Sequence, residues 1–145
     1  MSRRSMLIKD VQRIQAFSAT DGCRIQEIIH PKNDQISENI SLAMAEVAPG
    51  KATRPHKLSM LEIYYILEGK GLMHIGGETA EVHSGQAVYI PPLEIQHIEN
   101  IGPEPLRFLC ICHPEYDQDQ DELVSSATPD QGGFNATPGQ GRSRR

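Results

Sequence analysis

Two segments decide the fold of this 145-residue chain: GKATRPHKLSMLEIYYILEG at residues 50–69 and GQAVYIPPLEIQHIEN at residues 85–100. Both begin at a glycine and are rich in the β-branched and aromatic residues that favour strands. The Gly-Gly pair at residues 76–77 predicts a hairpin turn between them. Short strands separated by glycine turns, without a convincing long helix, continue on both sides. The sequence therefore predicts an all-β, antiparallel sandwich or barrel.

The apolar residues are spread unevenly and suggest how the chain is divided. Residues 40–112 carry most of the Ile, Leu, Val and Tyr. From residue 117 onward the composition changes to Asp, Gln, Ser, Gly and Pro, which cannot bury enough apolar area to offset the entropy of ordering. We expect an N-terminal arm with the first strands at 1–39, the barrel at 40–116 and a disordered tail at 117–145.

Composition excludes several classes of partner. A net charge of −5 with no basic face argues against nucleic-acid binding. No apolar stretch approaches the about 18 residues that span a bilayer. The arginines near the N-terminus are not followed by the apolar segment of a secretion signal. We therefore expect a cytoplasmic protein without a membrane partner.

The three cysteines, Cys23, Cys110 and Cys112, fit reduced thiols. The C-x-C pair can bind metal, but buried small hydrophobic residues are the favoured interpretation.

The two segments resemble the paired motifs of the cupin superfamily. In that family two His, a Glu and a third His point into a small β-barrel, a double-stranded β-helix of jelly-roll type, and hold one divalent metal. The spacings fit, but Leu58 stands where the second His is expected and Gln96 where the third is expected. Leu93 replaces the usual glycine of the second motif. A branch of small prokaryotic cupins with PHxLxxxEIYYILxGxGxMHI and VYIPPxxxQxIxN is similar over residues 40–115.

Strand parity indicates which of these residues face the interior. His56, Glu62 and Tyr64 have equal parity and share a face, which the resemblance places inside the barrel. On the later segment Gln96 shares the inner face and His97 turns outward. An imidazole, a carboxylate and an amide oxygen suit Fe, Mn, Ni or Zn as divalent ions, so the predicted metal ligands are His56, Glu62 and Gln96.

Alternatives remain for each of these residues. His97 replaces Gln96 as third ligand if the parity breaks in the loop after Pro91. His56 is otherwise a hydrogen-bonded core histidine without a metal. Tyr64 is the predicted catalytic proton carrier, with packing as its alternative role. His74 is expected outside, beside Tyr65.

The remaining histidines, His30, His83 and His113, lie near prolines or in turns and are expected at the surface.

The resemblance implies a metal-dependent enzyme acting on a small polar organic molecule, of dioxygenase, lyase, isomerase or cyclase type. The alternative is a non-catalytic metabolite-binding or sensor protein with an incomplete metal site, which Leu58 favours. A homodimer is also predicted, because the strand at residues 106–112 is apolar on both faces. A barrel wall covers one face only, so a second copy is expected to cover the other.

Overall fold

The computed structural model describes residues 6–124, which form two facing antiparallel sheets. The six-stranded sheet has the order β1-β2-β3-β10-β5-β8, and the five-stranded sheet has the order β11-β4-β9-β6-β7. The strands are β1 Phe17–Ser18, β2 Arg24–Ile29, β3 Ser41–Val47, β4 His56–Leu58, β5 Leu61–Glu68, β6 Lys70–Ile75, β7 Glu78–His83, β8 Ala87–Ile90, β9 Gln96–Asn100, β10 Leu106–His113 and β11 Asp121–Leu123. Two short 3-10 helices lie at Val11–Arg13 and Gln118–Gln120. The predicted all-β antiparallel architecture is confirmed.

The core fills the space between the two sheets. Alternate residues of each strand point inward, so that β9 and β10 bury every second side chain. Side chains from both sheets meet there, among them Ile66 and Phe108 from the six-stranded sheet and Met73 and Ile98 from the five-stranded sheet. Burying each such side chain contributes about 1.5–3 kcal/mol, which makes this the main stabilising layer.

A glycine corner moves the chain from one sheet to the other. Gly69 separates β5 from β6 and has a φ of 93°, in the left-handed region that glycine adopts without strain. A side-chain carbon here would lie 2.7 Å from the backbone oxygen of Pro105. Only glycine therefore lets the chain pass this close to the segment before β10.

Because of this corner, one predicted neighbour is wrong. His74 is expected from the sequence beside Tyr65 across a hairpin, but β5 and β6 belong to different sheets. His74 instead lies opposite Thr79 on β7 and opposite His97 on β9. The expected outward direction of His74 agrees with the structure.

The structure departs from the predicted start of the tail at residue 117, because residues 121–123 form a strand. This strand, β11, pairs antiparallel with β4, with Asp121 opposite Leu58 and Leu123 opposite His56. Val124 continues this contact by donating its N–H to the Pro55 oxygen at 3.0 Å. Backbone pairing with an open strand edge, rather than apolar burial, orders this segment, so composition did not reveal it. The rest of the predicted tail, residues 125–145, lies outside the described residues.

His30 also departs from expectation, because it is buried with 5% of its surface exposed. Its Nε2 lies 2.7 Å from the Tyr116 oxygen, and its Nδ1 accepts the Lys32 N–H at 3.1 Å. The ring thus ties the loop after β2 to the segment after β10. His83 and His113 are exposed, as predicted.

The three cysteines are free and buried, in agreement with their interpretation as small core residues. Among the helices of residues 6–124, none is long and apolar enough to cross a membrane.

Candidate metal and ligand site inside the barrel

His56 opens β4 and points into the barrel, where it lies between two carboxylates. Only 4% of its surface is exposed. Its Nδ1 lies 2.9 Å from Asp121 Oδ1, and its Nε2 lies 3.3 Å from Asp21 Oδ2. The contact between His56 Nε2 and Asp21 does not have the geometry of a hydrogen bond, so this buried nitrogen has no hydrogen-bond partner. Burial opposes protonation of the ring, but the Asp121 hydrogen bond and the charge of Asp21 outweigh it and raise the pKa of His56.

Glu62 faces the same interior from β5 of the opposite sheet. It is 6% exposed; its Oε2 accepts a weak hydrogen bond from the Cys112 thiol at 3.7 Å, and its Oε1 has no hydrogen bond of good geometry. Burial raises the pKa of Glu62 to about 7, and the nearby His56 and the side chain of Gln96 limit the rise. A buried carboxylate with an unpartnered oxygen is costly unless a cation or a proton neutralises it.

Gln96 and Tyr64 meet across the two sheets. Gln96 is only 1% exposed and is the cross-strand partner of His56. Its Oε1 accepts a hydrogen bond from the Tyr64 hydroxyl at 3.1 Å. The Tyr64 ring packs against Phe108 with centroids 4.3 Å apart. Burial, then the charge of Glu62, holds the pKa of Tyr64 well above its usual value, so its hydroxyl keeps its proton and acts as a donor.

Two residues of this site were missed by sequence reasoning. Asp21 is buried at a turn before β2, and burial raises the pKa of its carboxyl although His56 lowers it. Asp121 is supplied by β11, and its Oδ2 accepts the Tyr116 hydroxyl at 2.6 Å. The Asp21-Gly22 pair indicated only a turn, and Asp121 lies in the segment assigned to the tail. No local signal in the sequence shows that both approach His56.

His56, Glu62, Tyr64, Asp21 and Asp121 line a cavity of about 60 Å³, and Gln96 is not among its lining residues. A cavity needs about 10–15 Å³ of such water-accessible volume to hold one water molecule, so the space suits several waters or a ligand of a few heavy atoms. Its polar lining includes His56, Glu62, Asp21 and Asp121. Much of the remaining wall is apolar: Ala19, Ile25, Ala43, Ala45, Leu58 and Phe108.

The interior residues fit a divalent metal ion in their chemistry. His56 Nε2 and Glu62 Oε1 are both buried without hydrogen-bond partners, and they offer the nitrogen and oxygen that such ions take. The carboxylate of Asp121 on His56 Nδ1 is the arrangement that commonly orients a metal-binding imidazole. Leu58 lines the cavity without offering a ligand atom.

A second histidine cluster lies on the other side of the five-stranded sheet. Within residues 6–124, only His74, His97 and Glu99 place three ligand atoms of His, Cys, Asp or Glu all within 4.8 Å of one another. The interior set around His56 is therefore more widely spaced than this outer one. Burial, then the neighbouring His74, lowers the pKa of His97. The outward position of His97 and the inward position of Gln96 agree with strand parity.

The comparisons with known proteins identify the family to which the chain belongs. The family model described as "Cupin domain" matches residues 43–112. The chain is a cupin. Over 116 residues this cupin is 41% identical to protein MJ1618 of Methanocaldococcus jannaschii, a match that covers 79% of the cupin and 92% of that protein.

Two further similarities are less extensive or more distant. The cupin is 43% identical over 67 residues to dimethylsulfoniopropionate lyase DddW of Ruegeria pomeroyi, covering 46% of the cupin and 43% of the lyase. It superposes on the polyketide cyclase RemF of Streptomyces resistomycificus with a TM-score of 0.69 and 22% identity, covering 86% of the cupin and 89% of that chain. The similarity to the cyclase structure supports the fold and says nothing about activity.

Proposed function

We propose that the barrel binds a divalent metal ion and, through it, a small polar organic molecule, as a metal-dependent enzyme. The observation that carries this proposal is the pair of buried, unpartnered atoms His56 Nε2 and Glu62 Oε1 on the wall of one cavity. Leaving a buried polar atom without a hydrogen bond costs about 1–3 kcal/mol, and for His56 Nε2 the Asp21 carboxylate at 3.3 Å offsets part of that cost. A cation between them removes this cost, whereas an apolar ligand does not.

The third protein ligand is Gln96, with Asp21 as the competing candidate. The Gln96 Oε1 already accepts the Tyr64 hydrogen bond but keeps a second lone pair. Asp21 Oδ2 lies 3.3 Å from His56 Nε2, close enough to share an ion with it. A carboxylate binds divalent ions more strongly than an amide does. Substitution of Asp21 and substitution of Gln96 should therefore lower the metal affinity by different amounts.

The chain's own residues supply positioning and proton transfer. A bound divalent ion acts as a Lewis acid that polarises a substrate oxygen. Asp121 fixes the orientation of the His56 ring, and the Ala, Ile and Phe wall limits water around the reacting atoms. Tyr64 is the proposed proton-transfer residue, because Gln96 Oε1 holds its hydroxyl in place and a divalent cation bound nearby would oppose the rise in pKa that burial causes.

The small size of the cavity and its set of ligands favour short carboxylates or other oxygen-donor molecules as substrates. The partial similarity to a protein named as a dimethylsulfoniopropionate lyase makes that zwitterionic carboxylate a reasonable first probe. Oxalate is a second probe, because it is the smallest dicarboxylate and chelates divalent ions. Lyase chemistry on the first would release an alkene and a thioether, which gas chromatography detects.

Metal analysis of the full chain, purified without an affinity tag and then titrated with Mn²⁺, Fe²⁺, Ni²⁺ and Zn²⁺, tests the proposal. His56→Ala and Glu62→Ala should each abolish binding inside the barrel, while His83→Ala, which changes an exposed histidine, should leave it unchanged. Gln96→Leu and Asp21→Asn identify the third ligand by whichever weakens binding more. A metal stoichiometry in both His56→Ala and Glu62→Ala that equals that of the unmodified protein would overturn the proposal.

A non-catalytic metabolite-binding role is the second candidate, and Leu58 is the observation that favours it. This residue removes one imidazole from the family pattern and leaves an apolar wall in its place. A probe that raises the melting temperature of the metal-loaded protein but is recovered unchanged after prolonged incubation supports binding without turnover. Release of product supports the enzyme.

A second copy of this chain is the proposed partner for the outer face of the six-stranded sheet. Leu109 and Ile111 of β10 point outward there, beside the half-exposed Tyr65 of β5. An apolar strip on the middle strands of a sheet is typical of an interface between copies. Light scattering should show a dimer that Leu109→Glu dissociates, and a monomer at tens of micromolar removes this part of the proposal.

A further inference from the structure

The outer face of the five-stranded sheet carries a histidine cluster that the function proposed above does not use. It consists of His74 on β6 with His97 and Glu99 on β9, and all three are partly exposed. From its geometry we propose that this cluster is a second metal site, which takes a divalent transition-metal ion such as Zn²⁺ at the protein surface.

Strand register brings the three side chains together. His74 and His97 are direct cross-strand partners in the antiparallel β6–β9 pair. Their rings stack with centroids 4.0 Å apart and planes within 9° of parallel. Glu99 lies two residues after His97 and thus on the same face. Its Oε2 reaches His74 Nε2 at 2.5 Å.

The set of ligand atoms matches that of known divalent sites. Two imidazole nitrogens and one carboxylate oxygen are a combination that zinc and other first-row ions accept, with further positions open to water. A tetrahedral zinc site with ligand distances of about 2.1 Å separates its ligand atoms by about 3.4 Å. The atoms of the cluster lie within 4.8 Å of one another, and the stacked rings of His74 and His97 must rotate out of their parallel arrangement for both nitrogens to face one ion.

One of the two imidazoles already has an orienting partner of the kind that metal sites use. Thr79 Oγ1, on the adjacent strand β7, lies 3.2 Å from His74 Nδ1. A hydroxyl on Nδ1 fixes the ring so that Nε2 faces Glu99, and this kind of contact behind the ligands tunes metal sites in general. When the metal ion binds, the hydrogen bond between His74 and Glu99 is replaced by one bond from each residue to the ion.

The outer site is independent of the barrel interior. His97 follows Gln96 directly, but the two side chains leave opposite faces of β9, since Gln96 is fully buried and His97 is not. No residue is shared between the two sets. Zinc can therefore occupy one without the other, and variants of each separate them.

The test is a calorimetric titration of the full-length His56→Ala/Glu62→Ala variant with Zn²⁺, after its melting curve confirms folding. We expect one zinc per chain. Adding His97→Ala should remove that zinc, and Glu99→Gln should weaken its binding by about tenfold or more. His113→Ala, which changes another exposed histidine, is the matched control and should leave the zinc bound. A Co²⁺-loaded sample should show the visible absorption of a low-coordinate site, which His97→Ala abolishes.

If the double variant does not fold, the same comparison is made in the unmodified barrel. There His97→Ala should lower the zinc stoichiometry by one per chain relative to His113→Ala, whatever the interior binds. An unchanged stoichiometry in His97→Ala overturns the outer site and leaves His74 and Glu99 as a structural ion pair. Loss of zinc only in His56→Ala and Glu62→Ala also overturns the outer site, while it supports the interior one.

Discussion

The two faces of the five-stranded sheet carry histidines in opposite circumstances. On the inner face His56 is buried, contacts two carboxylates and has one ring nitrogen without a hydrogen bond. On the outer face His74 has both nitrogens partnered, by Glu99 and Thr79, and stacks on His97 beside solvent. One residue step along β9, from Gln96 to His97, separates these two environments.

The difference shows where the fold stores unfavourable free energy. A buried polar atom without a partner costs about 1–3 kcal/mol, whereas a partly exposed ion pair contributes about 0–1 kcal/mol. The inner cluster therefore depends on supporting residues and gains from an occupant. In the outer cluster His74 is hydrogen-bonded to Glu99 and Thr79 beside solvent, so the loss of this cluster should barely change the stability of the protein. Variants that affect one face or both faces test this asymmetry.

Removing β11 should have the largest effect and should damage the inner face alone. Ending the chain after Tyr116 deletes the strand that pairs with β4 and removes Asp121 from His56 Nδ1. We expect the free energy of unfolding to fall by about 3 kcal/mol, because buried His56 Nδ1 loses its hydrogen-bond partner and the pairing of β11 with β4 is lost. Thermal melting measures this, and a chain ending after Val124 is the control, expected to melt like the full-length protein.

The outer cluster provides the internal comparison for that truncation. Its residues lie on β6 and β9, whereas β11 is the edge strand of the sheet and is separated from β9 by β4. Zinc titration of the outer cluster should thus be unchanged in the shorter chain if it remains folded. A truncation that melts like the full-length protein would show that Asp121 contributes nothing to the inner cluster.

Gly69→Ala should destabilise both faces together, because the corner it forms joins the two sheets. Its φ of 93° and the 2.7 Å approach of a β-carbon to the Pro105 oxygen require either strain or a backbone shift. A loss of about 2 kcal/mol or more is expected from these two causes. Gly77→Ala is the matched control, since a β-carbon there meets nothing within 4 Å. Equal melting temperatures for the two variants would contradict the proposed role of the corner.

The sequence predicted the fold well because the relevant signals are local. Glycine turns and strand periodicity are read over a few residues, and parity placed Gln96 inside and His97 outside correctly. Asp21 and Asp121 could not be found in this way. They reach His56 from a turn 35 residues earlier and from a strand 65 residues later, and only the tertiary pairing of β11 with β4 brings the second one in.

The same limit explains why His30 and the neighbour of His74 were mispredicted. A proline next to His30 suggested a surface loop, but the ring is buried against the backbone of Tyr116, which is distant in sequence. A tight turn at Gly69 suggested a hairpin, but the close approach of Pro105 makes it a corner between sheets. Both errors come from contacts that depend on the packing of the whole chain.

Leu58→His should strengthen metal binding on the inner face without affecting the outer one. Leu58 lies two residues after His56 on the same face of β4 and lines the cavity. An added imidazole should tighten metal binding by about tenfold, roughly 1.4 kcal/mol. The metal-free protein should lose stability, because a polar ring replaces a buried leucine. Calorimetry measures the affinity, Leu58→Met is the control, and an unchanged affinity would mean that position 58 does not face the ion.

Leu93→Gly should have the smallest effect, because it changes backbone strain just before β9 and touches neither cluster directly. Leu93 has a φ of 69°, in the left-handed region, and donates its N–H to the Leu58 oxygen at 2.7 Å. Leu93 is 64% exposed, so little packing is lost when its side chain is removed. Relief of about 1–2 kcal/mol of strain is partly offset by about 0.5–1 kcal/mol of extra chain entropy in the unfolded state. We expect a rise of about 0–1.5 kcal/mol in the free energy of unfolding. Leu93→Asn should be similar, and Leu93→Val should be less stable than the parent, since a β-branched residue tolerates this region least. Denaturant titration resolves these differences. A marked loss of stability in Leu93→Gly would show that packing of the leucine side chain, rather than the backbone conformation at residue 93, stabilises the loop before Gln96 and His97.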